Sequence, residues 1–381
     1  MQQKMPAEID GSPLPIMKLK EYQAKKLIDQ YDIPIPRGVL FTQTGPLGDL
    51  DFLQSSECLV KSQILSGSRK KKGAILESSK KNCAELVKQV MGTSVEGEKV
   101  EEVLVEEKLP IKKEFYVGVT IDRFSRKYVV LLSKEGGIDI EEAAQKTPEK
   151  IDKIYFESYR TQFLLSVLKE KKYPESLLAI VRKMFNLLRD ADATLVEINP
   201  LIDTGAELVA VDAKILIDEN ALYRQPALKA YQYQGLTAVE KVARSVDIHY
   251  VDLDGDIGVI GNGAGLVMAT IDLLVDEGSQ PANFMDLKGG TGVETMEAAL
   301  ETITKKPLKG LCINVFGGIT HCDDLARGII NFLELHPLGF PIVVRMIGTH
   351  EKEAAKILKK VGISAFDSME KAISEVVKRT R

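Results

Sequence analysis

Cysteine is scarce in this chain of 381 residues, and long apolar runs are lacking. The four cysteines, Cys58, Cys83, Cys312 and Cys322, are scattered without metal-ligand spacing. They exclude a disulfide framework and point to a reducing cytoplasm. No apolar run approaches the roughly 20 residues a membrane helix needs. The formal net charge is only -4, which argues against a general nucleic-acid binder. Met1 to Pro15 has no hydrophobic core like that of a signal peptide, and it carries acids but no Arg, unlike a transit peptide. Residues 1–16 are expected to be a disordered tail, with Met17 as the structural start. Histidine is also scarce. His249, His321, His336 and His350 lie in no G-x-S-x-G-like or HExxH setting. His321, beside Cys322 and Asp323, is the most tempting, but a histidine at a helix start is more often surface-exposed than catalytic. The chain therefore lacks a convincing covalent catalyst of its own.

What the chain does have is a polar hairpin. Leu195 to Pro200 and Val209 to Lys214 read as strands, with Asp203-Thr204-Gly205-Ala206-Glu207 as the loop between them. If Asp203 pairs with Leu208, Asn199 faces Asp212 and Glu197 faces Lys214. Alternation puts these four on one face and Val196, Ile198, Val211 and Ala213 on the other. Two hard oxygens side by side suit Mg²⁺. On spacing alone, a half-buried sheet with a solvated polar face stands slightly ahead of that metal reading.

Upstream, residues 20–31 form an amphipathic helix with Tyr22, Ala24, Leu27 and Ile28 as its buried face, stopped by Pro34 and Pro36. Strands follow at 39–41 and 58–64, the second carrying Lys61. The basic segment Ser66 to Ala74 then precedes a strand at 74–76, and such a loop can fold over phosphates. A helix is expected at 82–91, a strand at 100–107, antiparallel strands at 115–121 and 128–132, and a turn at 135–141. Two helices, broken near Tyr173-Pro174, fill 161–191. Residues 18 to about 223 thus read as mixed α+β with antiparallel sheets.

After a helical linker near 226–246 the texture changes. Five strands alternate with five helices from Asp256 onward, which means a doubly wound parallel sheet. Glycine turns mark the strand ends: Gly261 to Gly265, Gly289 to Gly292, Gly317-Gly318 and Gly348. Each feeds a helix N-terminus that favours an anion. A nicotinamide fingerprint needs Gly or Ala where Leu266 stands, which argues against that cofactor.

Several of these motifs together resemble the beta subunit of succinate–CoA ligases, archaeal-type members in particular. They are Glu21 to Lys25, Val196 to Leu201, Asn220 to Pro226, Asn262 to Leu266 and Asn314 to Ile319, in order over both halves. The resemblance implies an α+β ATP-grasp domain (17–235) followed by an α/β flavodoxin-like doubly wound CoA-ligase domain (236–381). It implies reversible, NTP-dependent formation of succinyl-CoA through an acyl phosphate. It also implies a cytoplasmic hetero-oligomer in which a partner alpha subunit binds CoA and carries the phosphohistidine. Mg²⁺ and ATP/ADP, with GTP an alternative, would be the cofactors, and no nucleic acid or membrane would be involved. Carried over by position, Lys61 would contact nucleotide phosphates and Ser68, Arg69 and Lys70 would cover them. Glu106, Leu109 and Glu114 would hold the adenine and ribose side. Asn199 and Asp212 would ligate the metal, and Glu197 would meet the incoming phosphohistidine. Asn262, Gly318, Ile319 and Thr320 would bind the dicarboxylate or its acyl phosphate.

The chain departs from the family at Ser68, Lys70 and Ala74, which replace glycines, so the loop is expected to be stiffer and more basic. Lys288 replaces a common glycine and Thr320 a common apolar residue, both near the acid site. Malate–CoA ligase, a citrate-activating relative and a non-catalytic nucleotide-binding regulatory subunit are the alternatives.

Overall fold

The computed structural model describes residues 16–43, 50–51, 53, 55–66, 69, 71–122, 124–137, 140–156 and 161–381. It parts into two compact units after Gln234. No described helix is long and apolar enough to cross a membrane.

The first unit holds two antiparallel sheets. The larger runs in the order Ile16–Lys18, Ala213–Asp218, Ala193–Asp203, Lys113–Asp122, Lys127–Ser133 and Asp152–Phe156, with Leu208–Ala210 paired to the end of Ala193–Asp203. One face is strictly apolar: Val117, Val119, Val130, Leu132, Val196, Ile198, Ile215 and Ile217 are all fully buried. Helix Ser176–Asp190 packs there because Leu177, Ile180, Val181, Met184, Leu187 and Leu188 recur at helical spacing. The smaller sheet runs Gly38–Thr42, Glu102–Glu107, Glu57–Ser62, Ile75–Ser79. Cys58, Val60, Val103 and Val105 point to the core shared with helix Lys80–Val90. Alternation then sends Leu59, Lys61, Leu104 and Glu106 to the opposite face.

Several elements differ from expectation. Ile16 is already in a strand, paired with Asp218, so the expected tail loses its last residue; residues 1–15 lie outside the described residues. The turn expected at 135–141 runs into helix Ile140–Lys146, anchored by Ile140 and Ala144 beneath Tyr116. Strand Asp152–Phe156 escaped notice because it is an edge strand with little apolar signal; Ile154 and Ile151 carry its burial. In helix Glu21–Gln30 the buried residues are Glu21, Gln23, Ala24, Lys25 and Ile28, while Tyr22 and Leu27 are only partly covered. Charge on that helix faces inward, for reasons given below.

The second unit is a six-stranded sheet in the order His249–Asp252, Asn283–Asp286, Ile257–Gly261, Gly310–Gly317, Ile342–Gly348, Ala365–Phe366. The last five strands are parallel and follow the flavodoxin-like order 2-1-3-4-5. The unforeseen His249–Asp252 is an antiparallel edge strand that buries Tyr250 and leaves Val251 half exposed. Helices cover both faces. Ala264–Asp276 and Met369–Thr380 enclose Cys312, Val343, Ile373 and Val376 on one side. Val293–Ile303, Cys322–Leu335 and Glu351–Lys359 enclose Ile313, Val315, Val344 and Met346 on the other.

Helix Cys322–Leu335 approaches Val293–Ile303 closely at Gly328. A Cβ there would lie 2.6 Å from the Val293 carbonyl oxygen and 2.9 Å from Met296 Cβ. Gly328→Ala is therefore expected to cost about 1–3 kcal/mol by overpacking, read from chemical denaturation. An unchanged midpoint would contradict this close approach.

Candidate active site

The polar faces of the two sheets in the first unit line a cleft of about 610 Å³. The hairpin forms one wall. Asp203 pairs with Leu208, Glu197 with Lys214, and the Asn199 N–H donates to the Asp212 carbonyl at 3.3 Å. The expected register is thus the one observed, and Glu197, Asn199, Asp212 and Lys214 all line the cleft. Of the four residues expected on the apolar face, Ala213 also borders the cleft, and Val211 departs most. It lines the cleft too, because the strand is interrupted between Ala210 and Ala213 and alternation lapses there. Its carbonyl accepts from Lys61 Nζ at 2.7 Å. Tyr116 donates to Glu197 Oε2 at 3.4 Å, and the Gly137 N–H donates to Asn199 Oδ1 at 2.7 Å.

The other wall carries a buried ionic cluster. Lys61 Nζ sits 2.8 Å from Glu21 Oε1 and 2.7 Å from Glu106 Oε2. Lys25 Nζ reaches the same Glu21 oxygen at 2.8 Å and Glu106 Oε1 at 2.5 Å. Arg69 spans Glu21 Oε2 at 2.5 Å and Asp212 Oδ1 at 2.6 Å. Three acids thus face three bases, so the cluster is neutral when fully ionised. This is why Glu21 and Lys25 tolerate burial, since buried charges are costly unless paired. Burial acts to raise the Glu21 carboxyl, but Arg69, Lys25 and Lys61 hold it well below the usual carboxylate range. Asp212 goes the other way: burial, reinforced by the charge of Glu21, raises it against the pull of Arg69 and Lys61. Burial works against the charged forms of Lys61 and Arg69. The surrounding carboxylates outweigh it and raise both.

The structure gathers Lys61, Arg69, Glu106, Leu109, Glu114, Glu197, Asn199 and Asp212 around one cleft. Ser68 and Lys70 lie outside the described residues. Glu106 lines the cleft but is only 2 % exposed, and its two oxygens are taken by Lys25 and Lys61, so its side chain positions the lysine. Glu21 and Lys25 were missed as site residues. They lie in one of the motifs that signalled the family, but hydrophobic periodicity assigns charges to the outside.

In the second unit, Asn262 donates to the Phe316 carbonyl at 2.9 Å and accepts from the Phe316 N–H at 2.8 Å. Thr320 is 1 % exposed, and its hydroxyl accepts from the Gly290 N–H at 3.0 Å. Both side chains thus brace the strand-end turns. Gly318 and Ile319 are exposed at the same strand end. Lys288 takes a left-handed conformation, φ 61°, where glycine is easiest, and its ammonium pairs with Asp247 at 2.5 Å.

The ionic cluster makes a pH prediction. Glu21, with a depressed value, lends stability that is present above the ordinary carboxylate range, near pH 4.3, and is lost as the pH falls through its own lowered value. Asp212, with a raised value, contributes oppositely and weakens the fold as the pH rises through it. Glu21→Gln is expected to flatten the acid limb and to cost ~3–5 kcal/mol at neutral pH by stranding its cations. Denaturation midpoints from about pH 2 to about pH 7, a range that reaches below the ordinary carboxylate values near 4, check this; parallel curves for both proteins would refute it.

Two family models match the chain: an ATP-grasp domain over residues 18–203 and a CoA-ligase over 260–378. Succinate–CoA ligase (ADP-forming) subunit beta from Desulfurococcus amylolyticus is 40% identical over 379 residues, covering 96% of this chain and 99% of that one. The protein of the same name from Methanocaldococcus jannaschii is 39% identical, covering 95% and 100%. Among solved structures, ATP citrate lyase from Methanothrix soehngenii in complex with citrate and coenzyme A is similar in fold. Its TM-score is 0.74 at 19% identity, covering 96% of this chain and 100% of that one. The order of the two domains, the strand topology and this near-full-length identity lead to one conclusion: the chain belongs to the succinate–CoA ligase beta-subunit family, an ATP-grasp domain followed by a flavodoxin-like CoA-ligase domain.

Proposed function

We propose that this chain is the nucleotide-using beta subunit of a succinate–CoA ligase, which converts succinate, CoA and ATP reversibly into succinyl-CoA, ADP and phosphate. The observation that carries this is the convergence of Glu197, Asn199 and Asp212 from one sheet with Lys61 and Arg69 from the other wall. A carboxylate and an amide oxygen form a hard donor pair that fits Mg²⁺, so Asn199 and Asp212 would hold the ion, which neutralises phosphate charge when bound. Lys61, fixed by Glu21 and Glu106, would present its ammonium to phosphate oxygens. Arg69 now occupies Asp212 and has to leave it when the metal–nucleotide enters. Glu197 would accept a hydrogen bond from the imidazole N–H of a histidine brought by a partner alpha subunit, steadying its cationic form. The second unit would present its exposed strand-end turn, Gly318-Ile319, and helix N-termini to the acid and its acyl phosphate.

The inward-turned Thr320 and the Asp247-bound Lys288 favour succinate over malate or citrate. Neither departure from the family adds a free polar group to the turn. Adenine over guanine follows the ADP-forming relatives.

With the partner subunit co-purified, γ-labelled ATP and Mg²⁺ should label the partner's histidine, and turnover should favour succinate over malate and citrate. No labelling would leave a non-catalytic regulatory subunit as the reading. Asn199→Ala and Asp212→Ala are each expected to lower labelling at least 100-fold, on the scale of losing a transition-state contact, while the fold persists by circular dichroism. Wild-type labelling in either would refute the metal assignment. Glu197→Gln should keep nucleotide affinity and slow transfer about 10²-fold, the usual scale for a proton-handling group; an unchanged rate would remove Glu197 from the mechanism.

A further inference from the structure

A second group of metal-type donors lies in the flavodoxin-like unit, at the starts of two helices beside the exposed turn Gly318-Ile319. His321 caps helix Cys322–Leu335, and His350 caps helix Glu351–Lys359. The preceding strands, Gly310–Gly317 and Ile342–Gly348, are parallel neighbours in register at Gly317 and Gly348. Three hydrogen bonds lace their ends together. Thr349 N–H donates to the Gly317 carbonyl and Cys322 N–H to the Thr349 carbonyl, both at 3.0 Å, and Thr349 Oγ1 donates to the Gly318 carbonyl at 3.0 Å. The lacing brings the two imidazoles to 4.8 Å between ring centroids, inclined at 60°. His350 Nδ1 lies 2.9 Å from Asp323 Oδ1. One ligand atom from each of His321, Asp323 and His350 lies within 4.8 Å of the other two.

We propose that His321, Asp323 and His350 form a binding site for a divalent first-row transition metal. Two imidazoles and one carboxylate are the donor set that Zn²⁺, Co²⁺ and Ni²⁺ prefer, whereas Mg²⁺ favours oxygen alone. Donors around a tetrahedral ion with bonds of about 2.0–2.1 Å stand roughly 3.3 Å apart. The pair His350–Asp323 is already at that separation or closer, and His321, within 4.8 Å of the others, has to close by up to about 1.5 Å. Both rings are about half exposed, at 48% and 50%, so small side-chain rotations suffice and the remaining coordination positions face solvent. The carboxylate is held from behind: Arg327 Nη2 grips Asp323 Oδ2 at 2.7 Å, leaving Oδ1 turned to the imidazole. Such outer hydrogen bonds orient metal ligands in known sites. A further carboxylate, Asp324, has Oδ2 3.9 Å from His321 Nδ1, while Arg327 Nη1 holds its Oδ1 at 2.6 Å. Cys322 takes no part; its sulfur is buried against Gly317. The simpler account is a hydrogen-bonded brace between two helix starts. It requires only His350 and Asp323 and leaves the position of His321 unexplained.

The test is Co²⁺ titration of the full-length chain, stripped with chelator and held in excess Mg²⁺ to fill the oxygen-donor site. One equivalent of Co²⁺ with visible ligand-field bands is expected. His321→Ala and His350→Ala should each weaken it at least tenfold, and the double variant should abolish it. His336→Ala, remote at the end of its helix, should leave the titration unchanged. Thermal melts of each variant show that the fold is intact. Wild-type Co²⁺ affinity in the double variant, or no stoichiometric spectrum in the parent, would overturn the site.

Discussion

The ion-pair cluster joining Glu21, Lys25, Lys61, Arg69, Glu106 and Asp212 is the constraint on which the first unit depends. It links a helix, the small sheet, the basic segment and the polar hairpin through side chains that, Asp212 apart, are almost wholly removed from water. Buried ion pairs are poor sources of net stability, because desolvation takes back most of the Coulombic gain. What they do well is fix geometry, since any slip leaves a bare charge in a low-dielectric place. Here they hold the Lys61 ammonium and the Asp212 carboxylate at set positions on opposite sides of one cleft.

Function, on the reading given above, follows from disturbing that balance. A metal-bound nucleotide brings both a dication and a chain of phosphates into a cleft that is neutral without it. On that reading Asp212 would exchange Arg69 for the metal, and the freed guanidinium would join Lys61 in facing the phosphates.

Patterns that depend on neighbours along the chain were readable from the sequence. The hairpin register followed from a five-residue loop and strict alternation, and the doubly wound sheet followed from repeated strand–turn–helix spacing. Features that depend on distant partners were not readable. The inward face of helix Glu21–Gln30 is legible only once Glu106, 81 residues beyond Lys25, is known to lie against it. The edge strands Asp152–Phe156 and His249–Asp252 bury too little to announce themselves. Thr320 and Asn262 were placed in the correct turns, but their side-chain directions are set by Gly290 and Phe316, and no local pattern encodes that.

The double hydrogen bond between Asn262 and Phe316 is in effect one more rung of the parallel sheet, made by a side chain beyond the point where the backbone ladder ends. A carboxamide is the group that can do this, because it offers a donor and an acceptor side by side in the same geometry as a peptide. An aspartate of identical shape would set an oxygen against the Phe316 carbonyl and turn the rung into a repulsion. The first and third glycine turns are thus tied together, past the end of the backbone ladder, by a pairing that only the amide nitrogen makes attractive on both sides.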